Sequence, residues 1–269
     1  MNATLVSDTW ERGSPYEQYI GRWSRRIAPL FLAWLDRPAG LRWLDVGCGT
    51  GALAAAIVDR CRPGSVTGVE PSEGFLALAA QNLAGKAKVL AGTAAALPLE
   101  GGACDVVVSG LVLNFVPDLP AALSDMRRVT ARGGTIAAYV WDYAEGMEII
   151  RCFWDVAAAL DPAAARLHEG TRFPVCEPSA LKAAFEEAGL AEVRVTALEV
   201  IAEFADFDDY WQPFLGGQGP APAYAMSLAE DRCATLKDRL KSALTPAAGA
   251  ALSLGAKAWA VRGTVRSDV

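Results

Sequence analysis

The stretch best suited to chemistry is an acid followed by three glycines at alternate positions. Asp45 ends a short apolar run, and Gly47, Gly49 and Gly51 follow it. Glycine lets the backbone turn tightly and approach a ligand closely, and a helix that begins beside such a turn offers free backbone N–H groups. The alanine-rich segment 52–58 supplies that helix. The pattern therefore predicts a strand, a glycine turn and a helix that together bind a nucleotide.

The acid before the glycines bears on which nucleotide is bound. The spacing Gly47-x-Gly49-x-x-Ala52 also fits the loose dinucleotide fingerprint. A dinucleotide-binding strand would more often carry an apolar residue where Asp45 stands. A carboxylate there suits a ligand with an ammonium group and disfavours a pyrophosphate. The alternative is that Asp45 only caps backbone N–H groups of the turn.

A second acid, Glu70, ends the next predicted strand, 65–70. It lies about 20 residues after the turn, the interval at which an acid meets ribose hydroxyls in nucleotide-binding βαβ units. A carboxylate can accept a hydrogen bond from both hydroxyls. Alternatively, Glu70 is a favourable charge at the N-terminus of the next helix, for which Ser72 is the expected N-cap.

Composition limits the remaining possibilities. The 269 residues suit one large domain, and the net charge of −6 disfavours a nucleic-acid partner. Six scattered cysteines without Cys-x-x-Cys spacing and a single histidine disfavour a zinc site, so no metal is expected. Cysteines within apolar runs are typical of reduced thiols in a cytoplasmic protein. We see neither a signal peptide nor an apolar run that could span a membrane.

The glycine turn, its acid and the features that follow resemble the class I S-adenosylmethionine-dependent methyltransferases. The resemblance runs from about Tyr16 to Trp141 and is closest to the small-molecule branch that includes ubiquinone and menaquinone biosynthesis methyltransferases. It implies an α/β fold of the Rossmann-like methyltransferase type, with a seven-stranded, doubly wound, mostly parallel sheet and helical lid insertions. It also implies S-adenosyl-L-methionine as the cofactor and a small molecule as the methyl acceptor.

The resemblance assigns cofactor contacts to the turn and to the ends of the next strands. The residues concerned are Asp45, Gly47, Cys48, Gly49, Gly51, Glu70, Pro71, Thr93, Ala94, Ser109, Gly110 and Leu111. Thr93 stands where the family usually has an aspartate that takes the adenine amino group, so a neutral hydroxyl replaces a charge there. Ala94 would act through its backbone. In the predicted helix 14–36, Tyr19 and Arg22 would lie over the cofactor, with Arg22 paired to its carboxylate.

We expect one domain over residues 1–269, with insertions at about 142–175 and 206–246 that form a lid over the site. Aromatic residues in and near them, together with an asparagine after the fourth strand, are candidates for substrate binding: Asn114, Trp141, Tyr143, Trp154, Trp211 and Phe214. Ordinary core packing is the alternative for many of them, and a turn hydrogen bond is the alternative for Asn114. His168 is the candidate general base, with a solvated surface role as its alternative.

Two rival functions remain open. One is an NAD(P)-dependent oxidoreductase, which Asp45, the Thr93-Ala94 turn and the lack of a Tyr-x-x-x-Lys motif disfavour. The other is a protein that binds S-adenosylmethionine without catalysis. The sequence does not distinguish methylation of oxygen, nitrogen or carbon.

Overall fold

The computed structural model describes residues 20–217, 219–244 and 251–267. Of the predicted helix 14–36, the described part runs from Arg22 to Leu35. Within these described ranges, no helix has the length and apolar character needed to cross a lipid bilayer.

Seven strands form one sheet. They are β1 (Arg42–Val46), β2 (Ser65–Glu70), β3 (Lys88–Ala91), β4 (Cys104–Gly110), β5 (Thr130–Trp141), β6 (Ala191–Phe204) and β7 (Leu252–Thr264). Their order is β3-β2-β1-β4-β5-β7-β6. Strands β1 to β5 pair in parallel, and β7 pairs antiparallel with β5. The predicted seven-stranded, mostly parallel sheet is confirmed.

The sheet has a topological switch point between β1 and β4. From β1 the chain order runs outward to β2 and β3 on one side and to β4 and β5 on the other. Ligands of open α/β sheets bind outside the carboxyl ends of the strands at such a point. The glycine turn follows β1 directly, so the fold places it at the position where a ligand is expected.

Helices connect the strands. They are α1 (Arg22–Leu35), α2 (Ala52–Cys61), α3 (Glu73–Asn82), α4 (Leu119–Val129), α5 (Glu148–Leu160), α6 (Glu169–Arg172), α7 (Pro178–Glu187), α8 (Phe207–Trp211), α9 (Pro220–Ser227) and α10 (Glu230–Leu244). The expected N-cap of α3 is confirmed, because the Ser72 hydroxyl accepts a hydrogen bond from the backbone N–H of Phe75 at 3.5 Å.

The central strands are apolar because both of their faces are covered. Val106, Val107 and Val108 in β4 are at most 1% exposed, and Leu44 and Val46 in β1 are fully buried. Continuous apolar runs of this kind are typical of parallel strands with helices on both sides.

Helix α1 packs one face against this sheet. Ile27, Phe31 and Leu35, spaced four residues apart, are fully buried, whereas Leu30 is 41% exposed. The Phe31 ring lies 4.7 Å from the ring of Tyr139 in β5. The described part of the helix is therefore amphipathic, with Leu30 on its exposed face.

The described chain divides into two compact units. The larger consists of residues 24–141, 174–198 and 258–267. The smaller consists of residues 20–23, 142–173, 199–217, 219–244 and 251–257. Most of both predicted insertions belongs to the smaller unit. A single domain over residues 1–269 and a lid role for the insertions stay predictions.

Replacement of Ile27 by alanine should lower the free energy of unfolding by about 2–4 kcal/mol, because it removes a fully buried side chain and leaves a cavity. Leu30→Ala on the same helix is the matched control, and its exposed side chain should cost about 0.5 kcal/mol or less. Chemical denaturation of both variants measures the difference. Equal losses would contradict the packing of α1 described above.

Candidate functional site

Three glycines in left-handed conformation shape the turn after β1. Gly47, Gly49 and Gly51 have φ angles of 71°, 55° and 88°. The backbone N–H groups of Gly47 and Cys48 both donate to the carbonyl of Val69 in β2, at 2.8 and 3.0 Å. These bonds attach the turn to the end of the neighbouring strand. L side chains rarely adopt such φ angles, so the local backbone explains the glycines.

The three glycines differ in the space around them. A Cβ atom on Gly47 would lie 2.6 Å from the Val112 side chain, and one on Gly51 would lie 2.9 Å from Leu83. A Cβ atom on Gly49 would meet no heavy atom of the described residues within 4 Å. The outer glycines therefore allow close packing, and the middle one faces open space that a ligand can occupy.

Cys48, within the same turn, is buried. Its exposure is 6%, and its Sγ would lie 2.8 Å from a Cβ atom on Gly68, so the thiol fills the space that this glycine leaves. Burial raises the pKa of the Cys48 thiol far above its usual value, and the nearby acids Asp45 and Glu70 raise it further. Any contact of Cys48 with a ligand would come from its backbone.

Asp45 is a buried acid that is only half satisfied. It is 1% exposed, and burial raises its pKa to about 7, against a hydrogen bond from the backbone N–H of Ala54 in α2. Considering the residues that the structure describes, Oδ2 of Asp45 has no hydrogen-bond partner. Asp45 thus accepts from a backbone N–H of the helix after the turn, and not of the turn itself as one interpretation of the sequence held. Its second oxygen remains able to accept from a donor group, as the other required.

Glu70 links the glycine turn to helix α3. Its Oε2 accepts from the backbone N–H of Gly49 at 3.0 Å, and its Oε1 accepts from that of Ser72 at 2.9 Å. The side chain is 6% exposed, and burial raises its pKa while the two hydrogen bonds lower it. Since a carboxylate offers about four lone-pair sites, each oxygen can accept one further bond. Both interpretations of Glu70 are therefore compatible with this geometry.

The turn after β3 lies beside the same strand ends. The N–H of Gly92 donates to the carbonyl of Glu70 at 3.3 Å, and Thr93 forms an isolated bridge with Ala96. Thr93 is exposed and Ala94 is half-buried. Pro71, after β2, is also exposed. Ligand contacts by these residues stay predictions.

Three residues predicted to contact the cofactor lie at the end of β4, and each has a different structural role. The Ser109 hydroxyl is fully buried and donates to the carbonyl of Val46 at 2.9 Å, so it ties β4 to β1. Leu111 has a φ of 62°, and its N–H donates to the carbonyl of Tyr139 at 2.7 Å. Such strain in a non-glycine residue is common at functional sites. Gly110 is required because a Cβ atom there would lie 2.6 Å from the Tyr139 hydroxyl.

Two of the candidate substrate residues lie in the larger unit, and each buries a polar group that has no partner among the described residues. Asn114 lies in a 3₁₀ helix, Leu113–Phe115, and is 9% exposed, and Trp141 ends β5 and is 1% exposed. Among the described residues, neither Nδ2 of Asn114 nor Nε1 of Trp141 finds an acceptor. Both were predicted to bind substrate, and both keep a free donor.

Arg22, in the smaller unit, is engaged by its own unit. Its guanidinium donates to Oδ1 of Asp209 at 3.0 Å and lies over the rings of Trp23 and Phe204. The predicted pairing of Arg22 with a cofactor carboxylate stays a prediction. It would require Arg22 to leave Asp209 or to bind both carboxylates at once. Tyr19 lies outside the described residues.

His168 caps the short helix α6. Its Nδ1 accepts from the backbone N–H of Gly170 at 2.9 Å, so a neutral ring carries its proton on Nε2. Burial lowers the pKa of His168. In this arrangement neither ring nitrogen has a free lone pair, which argues against a general base. The catalytic assignment stays a prediction.

The predicted aromatic residues of the smaller unit are buried. Trp154, Trp211 and Phe214 are at most 2% exposed, and Tyr143 is 4% exposed. The Phe214 ring stacks on Phe153 at 4.7 Å with an interplanar angle of 5°. These rings form the core of the unit, as the alternative interpretation held, and substrate contact by them stays a prediction.

Sequence analysis missed Glu169, which is 2% exposed and accepts a hydrogen bond from Nε1 of Trp154. With its neighbours His168 and Gly170, it forms a polar segment whose pattern is typical of a surface loop. The only usable signal was an acid beside an otherwise isolated histidine. The bond explains why Trp154 can be buried with its indole N–H satisfied.

Comparison with known proteins gives concordant results. Residues 44–138 match the family described as "Methyltransferase domain". The chain is 31% identical over 169 residues to the demethylmenaquinone methyltransferase of Staphylococcus aureus, covering 58% of this chain and 70% of that protein. It is 36% identical over 138 residues to the malonyl-[acyl-carrier protein] O-methyltransferase of Geobacter sulfurreducens. That match covers 49% of this chain and about half, 51%, of the relative.

A solved structure extends the similarity of fold. Haemonchus contortus phosphoethanolamine N-methyltransferase 2, in complex with phosphomonomethylethanolamine and S-adenosylhomocysteine, matches with a TM-score of 0.58. The match covers 95% of this chain and 57% of that one, at 15% identity. At this identity the comparison shows the fold alone.

The buried Asp45 should make stability depend on pH. Its folded-state pKa of about 7 exceeds the ordinary value of 3.8, so the native state binds more protons than the unfolded chain between these values. The contribution of Asp45 to stability is therefore fully present below about pH 4 and is lost as the pH rises through about 7. Asp45→Asn should accordingly be more stable than the wild type at pH 7.5, and the gap should close towards pH 4.5 (urea unfolding).

Asp105→Asn is the control with the opposite sign. Its ion pair with Arg42, 2.7 Å long, lowers the pKa of Asp105. That variant should be less stable than the wild type near neutral pH, with the gap closing as the pH falls through the lowered pKa. Parallel pH profiles for the wild type and Asp45→Asn would contradict a raised pKa at Asp45.

Proposed function

This chain belongs to the methyltransferase-domain family, and we propose that it uses S-adenosyl-L-methionine to methylate a small organic acceptor. One observation carries the proposal: the unpaired Oδ2 of buried Asp45, at the end of the strand that leads into the open turn at Gly49. An acceptor atom buried in this way fits an ammonium group, which the amino-acid part of this cofactor has and a dinucleotide pyrophosphate lacks.

The residues of the larger unit fit the remaining parts of the cofactor. Glu70 keeps lone pairs that can accept from the ribose hydroxyls while its bonds to Gly49 and Ser72 hold it in position. The backbone of Ala94 and the hydroxyl of Thr93 are the groups proposed for adenine. Because Thr93 brings no charge, adenine recognition would be weaker in this chain than with the usual aspartate.

The cofactor, when bound, supplies a methyl group activated by a sulfonium, and its leaving group needs no proton. The work left for the chain is to hold both reactants in line and to keep water out. The rigid attachment of the turn to β2, through Val69, serves the first task. We propose that the insertions of the smaller unit serve the second as a lid, with the predicted aromatic residues on its substrate side.

The names of the two relatives specify different acceptors, malonyl-[acyl-carrier protein] for one and demethylmenaquinone for the other. They support a methyltransferase of organic acceptors without selecting one. All six cysteines are free thiols, which supports our proposal of a cytoplasmic protein.

The two rival functions are weaker on physical grounds. For an oxidoreductase, a buried carboxylate with a free oxygen beside the turn would repel the pyrophosphate of NAD(P). For a protein that binds the cofactor without catalysis, none of the contacts described above gives specific support. Parallel calorimetric titrations with S-adenosylmethionine and NADH distinguish the proposed function from an oxidoreductase. Release of S-adenosylhomocysteine with any acceptor distinguishes it from a protein that only binds the cofactor.

Asp45→Asn should weaken S-adenosylmethionine binding about tenfold or more at pH 8, because it replaces a charged hydrogen bond to the ammonium with a neutral one. In the wild type the affinity should fall as the pH drops below about 7, where Asp45 becomes protonated.

Asp118→Asn makes the same chemical change at an exposed N-cap, where Oδ1 accepts from Ala121 at 2.9 Å and asparagine caps equally well. Its cofactor affinity should equal that of the wild type. Binding of NADH without S-adenosylmethionine, or full affinity in Asp45→Asn, would refute the proposed function.

A further inference from the structure

An ion pair on helix α4 binds a loop of the larger unit. The guanidinium of Arg128 donates to both carboxylate oxygens of Asp125, to Oδ1 at 2.6 Å and to Oδ2 at 3.1 Å. It also donates to the carbonyl of Leu97 at 3.0 Å and to that of Leu99 at 2.7 Å. Oδ2 of Asp125 accepts from the N–H of Leu97 at 2.6 Å. Two side chains of one helix, which we call the clamp, thus hold three backbone groups of one loop.

Helix stability alone does not account for the clamp. Asp125 and Arg128 stand three residues apart, and the Arg128 side chain is 44% exposed. The hydrogen bonds from Arg128 lower the pKa of Asp125, so the pair is charged at neutral pH. Exposed ion pairs add little to stability, because water screens their charges. The planar fork of an arginine can, however, bind a carboxylate and two carbonyls at once, which fixes their relative positions.

The loop that the clamp holds packs against the turn after β3. Pro98 stands between the two clamped carbonyls in the chain. A Cβ atom on Gly92 would lie 2.8 Å from Cδ of Pro98 and 3.1 Å from the Val69 side chain. The N–H of Gly92 donates to the carbonyl of Glu70 at 3.3 Å. The backbone of Gly92 is therefore enclosed between the clamped loop and the end of β2.

Thr93 and Ala94, which the proposed function assigns to adenine, follow Gly92 directly. The N–H of Ala96 donates to the carbonyl of Thr93 at 3.1 Å, which closes the turn. What this turn can offer a base is a neutral hydroxyl and a backbone N–H. Hydrogen bonds of this kind act only over a short range and in a narrow range of angles. Recognition of adenine therefore depends on how firmly the turn is held in place.

We propose that Asp125 and Arg128 are positioning residues for the cofactor: they fix the turn at Thr93 and Ala94 and thereby set the preference for adenine. The inference rests on the proposed function and adds to it two residues that act through the loop. Ordering a mobile backbone costs conformational entropy, and the clamp removes that cost before the cofactor binds.

Two ligands that differ only in the base test the inference. S-adenosylhomocysteine carries adenine, whereas S-inosylhomocysteine carries hypoxanthine, whose N1 holds a proton at neutral pH. Hypoxanthine therefore cannot accept from the N–H of Ala94 and sets one donor against another. Calorimetric titration of the wild type should show a preference for adenine of about tenfold, from the hydrogen bond and the unsatisfied donor together.

Arg128→Met removes the bonds from the clamp to both carbonyls. It should lower the preference for adenine about threefold or more, because adenine must then order the turn as it binds. The affinity for S-inosylhomocysteine should change little, since that ligand makes no use of the ordered turn. Asp125→Ala should act in the same way, and the double variant should lose no more than either single variant, because both changes break one clamp.

Arg128→Lys provides the same test if Arg128→Met is too unstable to titrate. A lysine keeps the charge beside Asp125 but lacks the planar fork that reaches the carboxylate and both carbonyls. Its preference for adenine should lie between those of the wild type and Asp125→Ala.

Arg127→Met is the matched control. Arg127 is the neighbouring exposed arginine of α4, but its guanidinium donates to the carbonyl of Ala188, just after α7, at 2.9 Å. The control removes the same charge and a bond of the same kind, and it should keep the wild-type preference.

Three outcomes would overturn the inference and leave the proposed function standing. They are an unchanged preference in the clamp variants, an equal loss in Arg127→Met, and a wild type that binds both ligands equally. A wild type that does not bind S-adenosylhomocysteine at all would refute the proposed function as well.

Discussion

The electrostatic cost of two neighbouring buried carboxylates governs this site. Asp45 and Glu70 are at most 6% exposed, burial raises the pKa of both, and the charge on Glu70 raises that of Asp45 further. Backbone N–H groups of the glycine turn and of the following helices offset part of this cost. The positive charge of the proposed cofactor would offset the rest, so the arrangement that destabilises the free protein would favour a cationic ligand.

The features predicted well from the sequence are those that depend on local backbone chemistry. The three alternate glycines predicted a tight turn, and the serine at position 72 predicted the N-cap of a helix. Strand β5 begins at Thr130, which pairs with Cys104 of β4, and continues through Gly133, which has a φ of 72° and donates its N–H to Val265.

What escaped prediction depends on partners that are distant along the chain. The Ser109 hydroxyl bonds a strand 63 residues away, and Arg22 meets an aspartate 187 residues away. Aromatic spacing could not distinguish a core such as Phe153 against Phe214 from a substrate-facing wall. Nor could the sequence alone show which polar groups lack a partner among the described residues.

The buried thiol beneath the glycine turn has a pharmacological consequence. Cys48 is the cysteine nearest the proposed cofactor, yet its sulfur is enclosed by β2 at Gly68 and stays protonated at any physiological pH. Electrophilic warheads, which react with thiolates, would find no target there. Covalent inhibitors or fluorescent labels would instead reach the half-buried Cys61, Cys152 and Cys233, although burial raises the pKa of the Cys61 and Cys152 thiols too and so slows their reaction.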